Sequence, residues 1–212
     1  MSDKKKSGYM TLAEHDAQLK AEGKWDEYQA MRARREEEMK QKQAAFALAE
    51  APLVQALRDA GVEVDSAWDL VKTRDPYPKA IPVLLEHLGK PYPERVIEGI
   101  LRSLAVPEAR HAWQQLRDFF EAAPSQMTGG LRWAAGIALN GASDDSLLDD
   151  MADILRDPRF GHERQALLSA LARSGHAKAK MLLHELRDDP VLGKEIKKMR
   201  RMARKVSQAR RP

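Results

Sequence analysis

The chain has 212 residues, with 36 Lys and Arg against 32 Asp and Glu, and a formal net charge of +4. So mild a balance does not by itself point to a nucleic-acid partner, and the lack of cysteine excludes disulfides and thiolate metal sites. No apolar run reaches the roughly 18 residues of a membrane helix, and Met1-Ser2-Asp3-Lys4-Lys5-Lys6 lacks the apolar core of a signal peptide, so a cytoplasmic protein is expected.

Residues 1–10 are polar and are expected to be disordered. Thr11-Leu12-Ala13-Glu14 has the form of a capping box and predicts a short helix to about Glu22, broken at Gly23. Residues 24–50 are rich in Glu, Lys, Arg, Ala and Gln and predict one long charged helix. Trp25, Met39 and Phe46 fall in a seven-residue series, but Arg32 interrupts it and the companion positions are mostly polar. That argues against a sustained coiled coil. Residues 11–50 thus read as a helical arm, either solvated or used for partner binding or dimerisation.

From Leu53 onward the sequence repeats itself. Ile81, Leu84, Leu85 and Leu88 lie at i, i+3, i+4 and i+7, on one helix face. Gly89, Pro91 and Pro93 break that helix, with Pro93 placed for a first helical position; Ile97, Ile100, Leu101 and Leu104 form a second ladder, ended by Val106-Pro107. A shift of 67 residues carries Ile81, Leu84 and Leu88 onto Leu148, Met151 and Leu155, Pro91 onto Pro158, and Ile100, Leu101 and Leu104 onto Leu167, Leu168 and Leu171. Half that shift is the period of a helical solenoid.

An intermediate unit lies 35 residues on from the first, with Leu116 and Phe119 for Ile81 and Leu84, and Ala135 and Leu139 for Ile100 and Leu104. Gly129-Gly130 and Gly136 should weaken its second helix. A last unit follows the third by 31, with Leu182, Leu186, Met199 and Met202 facing the core. Reading backwards by 31 finds Leu53, Leu57 and Leu70, with a tight turn at Gly61 and an N-cap at Asp65. One such helix pair exposes two apolar stripes, and stacking against neighbours buries both. Each Leu-sized side chain gains roughly 1.5–3 kcal/mol on burial.

The paired ladders, the prolines between helices (Pro91, Pro158) and the segment Gln165-Ala166-Leu167-Leu168-Ser169-Ala170-Leu171-Ala172 resemble HEAT-type repeats of the loose bacterial form, over roughly residues 50–205. The resemblance implies an all-α fold: a short, right-handed α-solenoid of about five antiparallel helix pairs, preceded by the long charged helix. It divides the chain into residues 1–10 (disordered), 11–50 (arm), 51–205 (repeat domain) and 206–212 (basic disordered tail). It says little about function, since such arrays serve as adaptors, inhibitors and nucleic-acid binders.

In HEAT-type arrays the second helices line a concave face. One column of exposed positions there is Glu98, Trp133 and Gln165; the adjacent one is Arg102, Ile137 and Ser169, with Arg95 and Arg132 beside them. Arg and Trp are enriched in interface hot spots, so Arg95, Glu98, Arg102, Arg132, Trp133 and Gln165 are the candidate partner-binding residues. A register error of one would put Trp133 in the core instead. Trp68 should plug the first unit and Trp113 pack between units.

The C-terminal stretch is different in charge. Lys194, Lys197, Lys198, Arg200, Arg201, Arg204, Lys205, Arg210 and Arg211 stand against the single acid Glu195, a local +8 that leaves −4 on the rest of the chain. A solvated capping helix explains this with the helix dipole alone; the alternative is a nucleic-acid-binding surface at Lys197, Lys198, Arg200, Arg201, Arg204 and Lys205, or a site for an acidic protein or anionic lipid.

No phosphate loop or paired-histidine zinc spacing occurs among the motifs, and no cofactor or metal is expected. His87 reads as a surface or inter-repeat residue. Asp145, Asp149 and Asp153 share a helix face and could meet a hard cation, but capping and solvation explain them better. A related solenoid enzyme class, the DNA glycosylases that remove alkylated bases, needs an aromatic cleft with an Asp. Trp113, Asp118 and Trp133 would have to supply it, and their spacing does not suit. The first expectation is therefore a non-enzymatic protein-binding scaffold; the second is nucleic-acid binding through the C-terminal helix.

Overall fold

The computed structural model describes residues 10–124 and 130–209, with side chains as far as residue 203 at the C-terminal end. The described residues form helices and short 3-10 turns, with no strand among them. They belong to two compact units, residues 1–48 and 49–212. None of the helices is long and apolar enough to cross a membrane.

The first unit holds α1 (Leu12–Ala21) and most of α2 (Trp25–Asp59). The Thr11 backbone N–H donates to Glu14 at 2.8 Å, and Glu14 N–H donates back to Thr11 Oγ1 at 3.2 Å, which is the expected capping box. Gly23, at φ +69°, makes the turn. The Lys20 ammonium sits 4.6 Å over the Trp25 ring, and His15 meets Tyr28 edge-on. No residue of α1 is buried. The long helix does not stop at residue 50: it runs to Asp59, because the ladder Leu53, Val54, Leu57 continues its periodicity through Pro52. The boundary between the units falls within it.

The second unit continues with α3 (Ala67–Lys72), α4 (Ala80–Leu88), α5 (Glu94–Ser103), α6 (Trp113–Ala122), α7 (Leu131–Ala142), α8 (Leu148–Arg156), α9 (Leu168–Arg173), α10 (Ala177–Glu185) and α11 (Gly193–Ala209). α3 is capped by Ser66 rather than Asp65, because the Asp69 carboxylate reaches back to the Ser66 N–H while Asp65 pairs with Arg58 at 2.7 Å. The buried Glu50 carboxylate accepts from the Ala67 N–H at 2.9 Å and so caps α3 from α2. Pro93 is the N-cap of α5, one position earlier than its fixed φ suggested. Residues 158–167 are a 3-10 segment kinked at Gly161, so α9 starts only at Leu168. α11 reaches Ala209, beyond the helical end expected at 205.

Every ladder residue related by the 67-residue shift is buried in both places. The intermediate unit needs correction. Trp113, Leu116 and Phe120 are its buried first-helix residues, while Phe119 is only half-buried. They correspond to Ile81, Leu84 and Leu88 by a shift of 32, whereas Ala135 and Leu139 match Ile100 and Leu104 by 35. The connector between α6 and α7 is three residues longer than its predecessor, so a single shift could not fit both helices. α7 runs unbroken through Gly136, where a methyl would collide with the Ala166 side chain, and a methyl at Gly141 would collide with the Ala105 backbone. In the last unit Leu192 and Ile196 are buried, and Met202 is 59% exposed. The connector after Leu186 is short, which brings Leu192 and Ile196 to the core positions expected of Met199 and Met202.

α5 packs against α3, α4 and α7, α7 against α6 and the 158–167 segment, and α10 against α9 and α8. Ser103 Oγ lies 2.9 Å from the Ala67 carbonyl, linking α5 to α3. Arg164, 2% exposed, donates to the carbonyls of Leu155 (2.7 Å) and Gly161 (2.9 Å) and to both Asp189 carboxylate oxygens (3.0 and 3.3 Å). Asp189 also accepts from the Val191 and Leu192 N–H groups, each at 2.8 Å.

Candidate functional site

The second column of the repeat lines a groove. A 460 Å³ cavity opens between the end of α3 and the end of α5, with Val71, Tyr77, Arg102, Val106 and Ile137 in its wall. A 430 Å³ cavity shares Ala105, Pro107 and Ile137 with it and adds Asn140, Ser169 and Arg173. A third, of 450 Å³, shares Arg173 and continues along Asp144, Asp145 and Ser174. Arg102, Ile137 and Ser169 thus line one connected surface drawn from α5, α7 and α9.

The groove has an apolar floor with charges of both signs along it, Arg102 and Arg173 on one hand and Asp75, Glu108, Asp144 and Asp145 on the other. Val71 is exposed, and Tyr77, Val106 and Ile137 are half-buried. The Tyr77 hydroxyl donates to the Ser103 carbonyl at 2.9 Å; burial, reinforced by the Glu108 carboxylate, raises its pKa and keeps it a donor. Arg102 is held by Glu98 at 2.8 Å. Arg173 donates to Asn140 Oδ1 (2.8 Å) and to the Asn140 carbonyl (3.0 Å) near the end of α7, where a cation suits the helix dipole. Ser169 Oγ lies 3.3 Å from Arg173 and accepts from the Asn140 amide at 2.5 Å. Among the described residues no carboxylate pairs with Arg173.

The first column is divided. Arg95 and Arg102 stand over the Trp68 ring, 5.0 and 5.9 Å from its centroid, and the Trp68 Nε1–H donates to the Arg95 carbonyl at 3.3 Å. Trp68 is therefore half-exposed beside Arg95, Glu98 and Arg102. Arg132 and Gln165 are used internally: Arg132 donates to the Phe120 carbonyl at 3.1 Å and Gln165 to that of Val191, also at 3.1 Å. Trp133 is half-buried and stacked on His162 with centroids 6.2 Å apart, neither core nor fully exposed. Sequence reasoning missed Val71, Tyr77, Asn140 and Arg173. Arg173 lies one helical turn beyond Ser169 and Asn140 three residues beyond Ile137, so extending the second column by a turn would have found them.

The remaining candidates are spread apart. Asp149 pairs with Lys178, Asp145 accepts from Ser174 at 2.5 Å, and no cluster of metal-ligating side chains occurs among the described residues. Trp113 is buried in the core, while Asp118 is exposed and bonded by Gln114 at 2.7 Å, so the two do not share a cleft. His87 is buried rather than on the surface, stacked on Tyr92 with Nδ1 2.8 Å from its hydroxyl and Nε2 2.9 Å from Lys90. Burial, and after it the Lys90 ammonium, lowers its pKa. On α11, Lys197, Lys198, Arg200 and Arg201 are exposed; Arg204 and Lys205 are on the helix with side chains outside the described part. Comparison with protein-family models, curated proteins and solved structures finds no match.

Proposed function

We propose that residues 49–209 form a short HEAT-like solenoid of antiparallel helix pairs, and that the protein is a non-enzymatic, cytoplasmic scaffold holding a segment of a partner protein in the groove along its second helices. The serial packing of α3, α5, α7 and α9 supports the array, and the 67-residue correspondence of buried positions supports its repeat character. The observation that carries the binding role is the groove itself: an apolar floor centred on Ile137, flanked by Arg102 and by Arg173, which has no carboxylate in ion-pair contact among the described residues. A groove of this kind fits a peptide segment that places an apolar side chain on Ile137 and a carboxylate on Arg173.

Selection from a random-sequence peptide display library tests this reading. The expected result is enrichment of peptides with an acidic residue near an apolar one, with binding lost in Ile137→Asp while that variant keeps its circular-dichroism melt. Enriched peptides without acids, or binding indifferent to Ile137→Asp, would count against it.

A further inference from the structure

We infer that α11 is a second, separate binding surface, and that its ligand is the phosphodiester backbone of duplex nucleic acid. α11 has 17 residues, but only its first turn is built into the fold: Gly193 and Ile196 are buried, Met199 is half-buried, and Lys197, Lys198 and residues 200–203 are exposed. At 100° per residue, Lys194, Lys197, Lys198, Arg200 and Arg201 occupy an arc of about 160°, facing away from Ile196 and Met199. Along the axis they span about 10 Å.

These cations are mostly unopposed. Lys197 lies 3.5 Å from Asp188 and Lys198 lies 3.2 Å from Glu195, while Lys194, Arg200 and Arg201 have no carboxylate partner among the described residues. Holding five like charges on one face opposes helix formation, and phosphates laid against the arc would relieve the repulsion. A broad cationic arc on a narrow helix matches the paired strands that flank a groove, since both edges of the arc then meet phosphate. A lipid surface fits less well: Met202 is the one large apolar side chain exposed on residues 197–203, and no aromatic residue accompanies it. Phosphate contacts carry no sequence information, so the binding is sequence-independent.

The test is fluorescence anisotropy of the full chain with a labelled 20-base-pair DNA of arbitrary sequence between 50 and 200 mM KCl. With four or five phosphates neutralised, the dissociation constant should rise about 150- to 500-fold over that range. Lys197→Ala, Lys198→Ala, Arg200→Ala and Arg201→Ala together should weaken binding at 50 mM KCl at least tenfold and flatten the salt dependence. Alanine keeps the helix, which circular dichroism checks. Exchanging Lys for Arg and Arg for Lys at the same four positions should leave affinity unchanged. A second quadruple alanine variant, at Arg34, Arg35, Lys40 and Lys42, should bind as the unaltered chain does. The inference fails if the unaltered chain does not bind at 50 mM KCl, if the two quadruple alanine variants lose affinity equally, or if phosphatidylserine vesicles compete the DNA away.

Discussion

Replacing Asp189 by Ala should be among the most damaging single changes to the second unit. Arg164 is 2% exposed, and Asp189 is its only carboxylate partner among the described residues. The substitution leaves a buried guanidinium whose remaining hydrogen-bond acceptors among the described residues are two backbone carbonyls, with no carboxylate in ion-pair contact. It also strips the Val191 and Leu192 N–H groups of their acceptor as the chain enters α11. Breaking a buried pair from one side costs about 3–5 kcal/mol, against a total of about 5–15 kcal/mol for a domain. In a chain of this size each kcal/mol moves the melting temperature by about 2–4 °C, giving a fall of about 6–20 °C. Urea melts followed by circular dichroism would measure it. Asp189→Asn, which keeps an oxygen for the two N–H groups, should cost less, and Arg164→Met in the Asp189→Ala background should recover part of the loss. A cost under about 1 kcal/mol for Asp189→Ala, or no recovery in the double variant, would refute the reasoning.

Three further outcomes follow from the geometry. Trp133→Ala should cost about 1–2 kcal/mol by urea melt, less than the 3–5 kcal/mol of a fully buried aromatic, because the ring is half-exposed and its main aromatic contact is His162. Gly141→Ala, which in an open helix would stabilise, should instead cost about 2–3 kcal/mol, because the added methyl meets the Ala105 backbone and not a side chain that can turn aside. Acid should weaken the fold through His87. Its folded pKa lies below the ordinary 6.5, so the unfolded chain takes up the proton first. That contribution is complete above about pH 6.5 and is lost as the pH falls through the lowered value, so His87→Phe should flatten the stability profile between pH 6.5 and 5. A profile of unchanged slope in that variant would rule His87 out.

The all-helical character was legible because it rests on local periodicity. Leu84, Leu88, Leu101 and Leu104 announce their faces through spacing alone, and their copies 67 residues on are buried as they are. What was not legible depended on connector lengths. A three-residue excess between α6 and α7 moved the core from Phe119 to Phe120 and brought Trp113 inside; a short connector after Leu186 replaced Met202 by Leu192 and Ile196. The buried Arg164 was invisible because its partner, Asp189, stands 25 residues away, where an Asp beside a Pro reads as a helix breaker. The groove was half legible: the Arg102, Ile137, Ser169 column was derivable from the shifts, but Arg132 and Gln165 looked available in sequence and are bonded to the backbone of other segments in space.

At Gly141 the polypeptide of α7 lies directly on that of Ala105, main chain to main chain. Side chains can rotate and so let a cleft breathe; peptide planes in contact have no such freedom. The stretch of cavity wall formed by Ala105 and Gly141 is therefore set by main chain rather than by rotamers, and under the proposed peptide-holding role it would act as a fixed gauge of ligand thickness.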